Sequence, residues 1–156
     1  MQVSEFVRRS GAQLFGVDPD SFKDLNGTDG AVFACRQGSR AYVIKFVPLA
    51  EETAKYEEKL RFMHYLNDNG IPIAIPIPSS RGNSFELIAE EDQRYLVTVA
   101  PLANGQHPVS RNLYLWNEQL FQTWGQVLGR MHALAKQYPY WEKPAQGLPD
   151  TLLDDW

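Results

Sequence analysis

The stretch that most constrains the fold is residues 25–46, LNGTDGAVFACRQGSRAYVIKF. It reads as a strand, a tight glycine turn, a second strand, another turn and a third strand carrying Lys45 between apolar residues. In Tyr42-Val43-Ile44-Lys45-Phe46, period-2 alternation puts Val43 and Lys45 on one face and Tyr42, Ile44 and Phe46 on the other. The glycines at 27 and 30 let backbone N–H groups approach a phosphate closely, because no Cβ stands in the way. A lysine sharing a face with apolar side chains suits a nucleotide, with aliphatic surface under the base and an ammonium on the phosphates. The same residues also fit a β-meander whose glycines only turn and whose lysine reaches out to water.

Bulk properties narrow the field. A chain of 156 residues makes one domain, or one domain with a tail, and buries a sizeable core. Its net charge of −4, with no Lys/Arg-rich run, argues against nucleic acid as a partner. The single cysteine, Cys35, excludes an internal disulfide and suggests a reducing compartment; placed in an apolar strand, it reads as buried and inert. The opening MQVSEFVRRSG has no apolar signal core and no apolar run approaches membrane-spanning length, so a cytoplasmic protein without a membrane partner is expected.

In chain order, residues 3–15 predict an amphipathic helix with Val3, Phe6, Val7 and Leu14 as its apolar set and Gly16 as its stop. Asp18-Pro19-Asp20 turns the chain into a first strand near 21–25, and the third strand ends at Pro48. Residues 50–68 predict a helix with Tyr56, Leu60, Met63 and Leu66 on one face, closed by Asn69-Gly70. The prolines of GIPIAIPIPSSRGN exclude a central strand and leave an extended loop pinned by Ile71, Ile73, Ile75 and Ile77. Residues 84–90 and 94–100 form a hairpin, LANGQHP is a linker, and a helix over 116–138 carries Leu120, Trp124, Leu128, Met131 and Leu134, a stripe that reads as core packing. This order predicts an α+β fold: a five-stranded, wholly antiparallel sheet with one packed helix, then a linker and a long helix.

Three stretches carry a resemblance: LNGTDGAVFAC with AYVIKF; EEKLRFMHYLNDNGIPIAIPIPS; and YLVTVAPLANG followed by WNEQLFQTWGQVLGRMHALAKQY. Together they resemble the small lobe, hinge and first large-lobe helix of the aminoglycoside phosphotransferase and choline-kinase-like enzymes, which are protein-kinase-like. Gly27, Gly30 and Val32 match the last three anchors of the kinase pattern G-x-G-x-x-G-x-V, with Leu25 at the first. The resemblance implies a small nucleotide-binding lobe over 1–100, a hinge over 101–115 and a truncated large lobe over 116–156. It implies ATP as cofactor. Gly27, Thr28, Asp29 and Gly30 would cover the phosphates, and Lys45 would reach the α- and β-phosphates. Val32 and Val43 would lie on the adenine, and backbone groups of Ala100–Leu102 would read its edge. A glutamate on the next helix, Glu58 first and Glu57 second, would pair with Lys45, although one alignment puts Lys59 there.

The family's catalytic loop has the pattern H-x-D-x-x-x-x-N, which is absent here: His107 is followed by Pro-Val-Ser-Arg-Asn112. Asp150, Asp154 and Asp155 have no asparagine after them. No catalytic residue and no metal ligand is therefore assigned, and magnesium is expected only with a large lobe that these residues do not include. The expectation is the ATP-binding lobe of a longer small-molecule phosphotransferase, with a non-catalytic kinase-like module as the alternative. Contact with the large lobe, or self-association, is expected through the 116–138 helix. His64 reads as solvated, His132 has no catalytic role, His107 could touch a ligand, and Glu90-Glu91-Asp92 reads as a solvated hairpin tip.

Overall fold

The structure is a computed structural model, which describes residues 3–27, 30–49, 53–105 and 114–140. Three helices and five strands follow one another as α1 (Glu5–Phe15), β1 (Asp18–Asp24), β2 (Ala31–Gln37), β3 (Arg40–Pro48), α2 (Ala54–Asp68), β4 (Glu86–Glu90), β5 (Gln93–Pro101) and α3 (Glu118–Gln137). The strands form one sheet in the order β1-β2-β3-β5-β4, with every neighbouring pair antiparallel. The α+β architecture read from the sequence is the one observed.

The core lies on the face of β3 that carries Tyr42, Ile44 and Phe46, all buried. Helix α1 closes it with Val7, Ala12 and Phe15, while Val97 and Val99 of β5 complete the floor. The helix lies so close that a Cβ on Gly11 would stand 2.7 Å from Cε1 of Phe46. Its buried edge therefore runs through Val3, Val7, Gly11 and Phe15 at steps of four; Phe6, expected inside, is 59% exposed. The start of α1 is fixed by Ser4, whose Oγ accepts from the Val7 N–H at 3.2 Å and donates to Glu90 at 2.6 Å. Glu90 is thus a tether for α1 rather than part of a solvated hairpin tip. At the other end Gly16 takes φ +65 and the Val17 N–H donates to the Ala12 carbonyl at 3.0 Å.

The Asp-Pro-Asp segment turns as expected, but inside a strand that begins at Asp18 and not near residue 21. The Asp20 N–H donates to Asp18 Oδ1 and the Ser21 hydroxyl to the Asp18 carbonyl, and the register with β2 shifts between Asp18 and Lys23. Turn chemistry here makes a bulge without ending the pairing.

Helix α2 follows β3 in the chain. Leu60 and Leu66 are its buried residues, and its end is closed by Gly70 at φ +78 with the Ile71 N–H donating to Leu66 at 3.0 Å. The proline-rich stretch after it forms no strand, as expected, yet the Ile77 N–H donates to the Val99 carbonyl at 2.8 Å. Residues 79–86 then wrap around one carboxylate. Glu86, buried, accepts from the Ser79 hydroxyl at 2.6 Å and the Asn83 amide at 3.1 Å, and Arg81 approaches its other oxygen at 3.5 Å.

The α3 stripe differs from the expectation. No residue of this helix is buried; Trp124 and Leu128 are 53% and 43% exposed. Among the described residues its ties to the rest lie at the C-terminal end, through Arg130 to the Asn69 carbonyl at 3.2 Å and the Tyr65 hydroxyl to the Leu134 carbonyl at 3.3 Å. Helical periodicity identifies an apolar face, not what covers it. Among the described residues no helix is long and apolar enough to cross a membrane.

Replacing Glu86 by alanine strands Ser79, Asn83 and Arg81 without their common acceptor. The Glu86→Ala chain is expected to lose about 2 kcal/mol of unfolding free energy, the scale of a buried charge-assisted network. A urea midpoint unchanged from wild type would show that the wrapped loop contributes nothing to the fold.

Candidate functional site

The alternation of β3 fixes which side chains face away from the core. With Ile44 and Phe46 buried beneath the sheet, Lys45 and Val43 stand half-buried on its other face. Lys45 is flanked in register by Val32 on β2 and Thr98 on β5. Val43 is flanked by Ala34 and Ala100 in the same way. Directly opposed residues in antiparallel strands hold their Cβ atoms about 4.5–5.5 Å apart, so each row is a continuous band of side chains. The lysine stem therefore rises between a valine and a threonine, beside an apolar row of valine and two alanines.

The glycine segment folds over this face. The Asn26 N–H donates to Asp24 Oδ1 at 2.7 Å with Asn26 at φ 53, and the Leu25 N–H donates to the Val32 carbonyl at 2.9 Å. A Cβ on Gly27 would stand 2.3 Å from Cγ2 of Val32, so the loop rests directly on the residue beside Lys45. A Cβ on Gly30 would meet the Phe46 carbonyl oxygen at 2.5 Å. Both glycines are thus required by close backbone packing, whatever else they do. Thr28 and Asp29, the other two expected members, lie outside the described residues, as does His107.

Ala100, half-buried, joins the band through its pairing with Val43. Leu102 is 39% exposed, and its N–H is already taken by the Ala41 carbonyl at 3.1 Å. Of the backbone groups expected to read a base, that N–H is engaged and Pro101 has none, which leaves carbonyls of the segment. Glu58 is exposed and within electrostatic reach of Tyr138, at the end of α3. Glu57 accepts from the Thr53 hydroxyl at 3.3 Å. Neither forms an ion pair with Lys45, so the structure does not bring the expected carboxylate to the lysine.

On α2, burial pushes the ionisation of Tyr56 above the ordinary tyrosine value, partly offset by the Thr98 side chain. Thr98 is a lone polar residue in the apolar run Leu96–Ala100, which is the signal that could have marked it. Burial likewise raises the Cys35 thiol to about 11, which removes it as a nucleophile. His64 and His132 are exposed, and among the described residues no group of three His, Cys, Asp or Glu side chains converges as a metal site.

The sequence model of the phosphotransferase enzyme family matches residues 23–156. The chain belongs to that family. It is 27% identical, over 136 residues, to amicoumacin kinase of Bacillus subtilis (strain 168), a match that covers 86% of this chain and 40% of the relative. The solved structure of amicoumacin kinase hAmiN, in complex with AMP-PNP, Ca2+ and Ami, superposes with a TM-score of 0.78 at 26% identity, over 88% of this chain and 41% of that one. Two further structures share the fold: a microcompartment-associated aminopropanol kinase, with a TM-score of 0.68 at 16% identity over 83% of this chain and 40% of that one, and a spectinomycin phosphotransferase in complex with ADP and spectinomycin, with 0.60 at 17% over 88% and 42%. The chain spans about 40% of the length of these relatives.

Adding a methyl group tests the packing of the loop. Gly30→Ala must displace backbone of β3 and is expected to cost about 1–3 kcal/mol. Gly125→Ala on α3, where nothing lies within 4 Å, should instead stabilise by about 1 kcal/mol through helix propensity. Thermal melts in which Gly30→Ala matches or exceeds wild type would show the loop to be loosely placed.

Proposed function

We propose that this chain is the ATP-binding lobe of a small-molecule phosphotransferase, one that transfers a phosphoryl group from ATP to a hydroxyl of an aminoglycoside-, choline- or sugar-like acceptor. The observation that carries the reading is the band Val32–Lys45–Thr98, with the Gly27 loop resting on Val32 at its edge. A ligand under that loop would meet an ammonium, glycine backbone and an apolar floor together. Lys45 serves the α- and β-phosphates, the segment Gly27-Thr28-Asp29-Gly30 covers them, and Val32 and Val43 lie against the adenine. Ala100 and Leu102 border the adenine edge. The lobe then comprises residues 1–100, followed by a linker over 101–115 and α3.

The family membership supports this reading, as do the AMP-PNP and ADP bound in two of the related structures. The described residues do not fit a divalent metal, so no step is drawn through one, and the acceptor would be held by parts of the enzyme other than this face. A second reading, a non-catalytic nucleotide-binding or regulatory module of the same fold, is favoured by one observation: among the described residues no carboxylate pairs with Lys45.

Adenine nucleotides should bind the chain in the millimolar range, roughly −4 kcal/mol. Lys45→Ala should weaken ATP more than adenosine, since the ammonium serves the phosphates and not the base. Amide-shift titrations of both ligands on both proteins measure this. Equal losses for the two ligands, or shifts that avoid Gly27 and Gly30, would make the glycine loop only a turn.

A further inference from the structure

Away from the glycine loop, a cavity of about 690 Å³ opens between α2 and the segment that wraps around Glu86. That volume lies within the range of small-molecule sites, about 300–1,000 Å³. One of its lining residues, Leu87, pairs with Leu96 on β5, which pairs in turn with Val47 on β3. The cavity therefore reaches the edge strand β4, and β5 separates that strand from the one that carries Lys45.

The lining has two chemistries. Leu60 is buried, Phe85 is half-buried with its ring edge-on to Tyr56 at 5.4 Å, and Leu87 is exposed; together they make an apolar floor. Arg61, His64 and Arg81, all exposed, line the same cavity. Arg61 and His64 are three residues apart on α2 and so lie on one side of the helix, above Leu60.

Two carboxylates line the cavity as well, and both already have donors. Glu86 is enclosed by the Ser79 hydroxyl and the Asn83 amide, and Glu57, one turn before Arg61, accepts from the Thr53 hydroxyl. The guanidiniums are less occupied. Arg81 approaches Glu86 only at 3.5 Å, and among the described residues the Arg61 side chain makes no hydrogen bond or ion pair. A guanidinium fork with N–H groups to spare matches the oxygens of a carboxylate or a phosphate.

We propose that this cavity binds a small organic anion, with its oxyanion head group on Arg61, His64 and Arg81 and its apolar body on Leu60, Phe85 and Leu87. The site shares no residue with the Lys45 band, so it stands apart from the nucleotide reading.

The test is an amide-shift titration of the 156-residue chain with phenyl phosphate. Inorganic phosphate and benzyl alcohol, which each carry one half of that chemistry, are the controls. Phenyl phosphate should move amides within 57–64 and 81–87 and bind about tenfold more tightly than either control. Arg61→Gln, an exposed change that breaks no contact of the Arg61 side chain among the described residues, should weaken it by about three- to tenfold, the scale of one charge-assisted hydrogen bond. Leu87→Ser should weaken it by about threefold through lost apolar contact. Inorganic phosphate binding as tightly as phenyl phosphate would reduce the site to surface charge and overturn the proposal. Unchanged affinity in Arg61→Gln, or shifts confined to Gly27, Gly30 and Lys45, would overturn it too. A chain that binds no ATP yet gathers phenyl phosphate at 57–64 and 81–87 would uphold this site while the nucleotide reading fails.

Discussion

The structure depends on the contact between α1 and β3 at Gly11 and Phe46. A helix can approach a strand that closely only where it lacks a side chain, and the bare surface of Gly11 is filled by the Phe46 ring. Burying a phenylalanine is worth about 1.5–3 kcal/mol, and Ile44 and Val97 beside it add to that. Because side chains alternate along a strand, sinking Phe46 and Ile44 into this core forces Lys45 and Val43 to the other face. A slip of one residue would bury the ammonium and expose the ring. The position of the lysine is therefore decided from beneath the sheet, by hydrophobic packing that never touches it.

Above the sheet the forces are of another kind. The glycine loop lies close against the Val32 side chain and the Phe46 backbone, and Tyr56 of α2 stands edge-on to Phe85.

Much of this was legible in the sequence. The alternation in Tyr42–Phe46, the glycines at 16 and 70 that end helices, and the prolines that forbid a strand over 71–78 each act locally, and each gave the right element. Reading failed where partners are far apart in the chain. Phe6 and Phe15 are equally apolar, and only the direction of approach to β3 decides that Phe15 goes inside. Glu90 looked like a solvated acid because Ser4 is 86 residues away. The α3 stripe was correct as periodicity and mistaken as burial within the described residues, since a pattern says which face is apolar and not what lies against it.

The tether between Ser4 and Glu90 has a consequence for how the chain comes into being. Helix α1 is made first, yet its start is secured by the β4–β5 hairpin, and its end by the Ser80 N–H on the Leu14 carbonyl. Eleven residues are too few to hold a helix alone in water, so α1 waits, partly frayed, while nearly a hundred residues follow it out of the ribosome. The central pair of the sheet has the same history, for β5 can join β3 only after α2 and the proline-rich loop have been threaded past. Contacts of such long sequence separation close slowly, because the entropy of the loop is lost before the contact is gained. The apolar underside of β3 thus stays bare until β5 is made, and the last strand of this sheet is the one that completes the floor on which α1 settles.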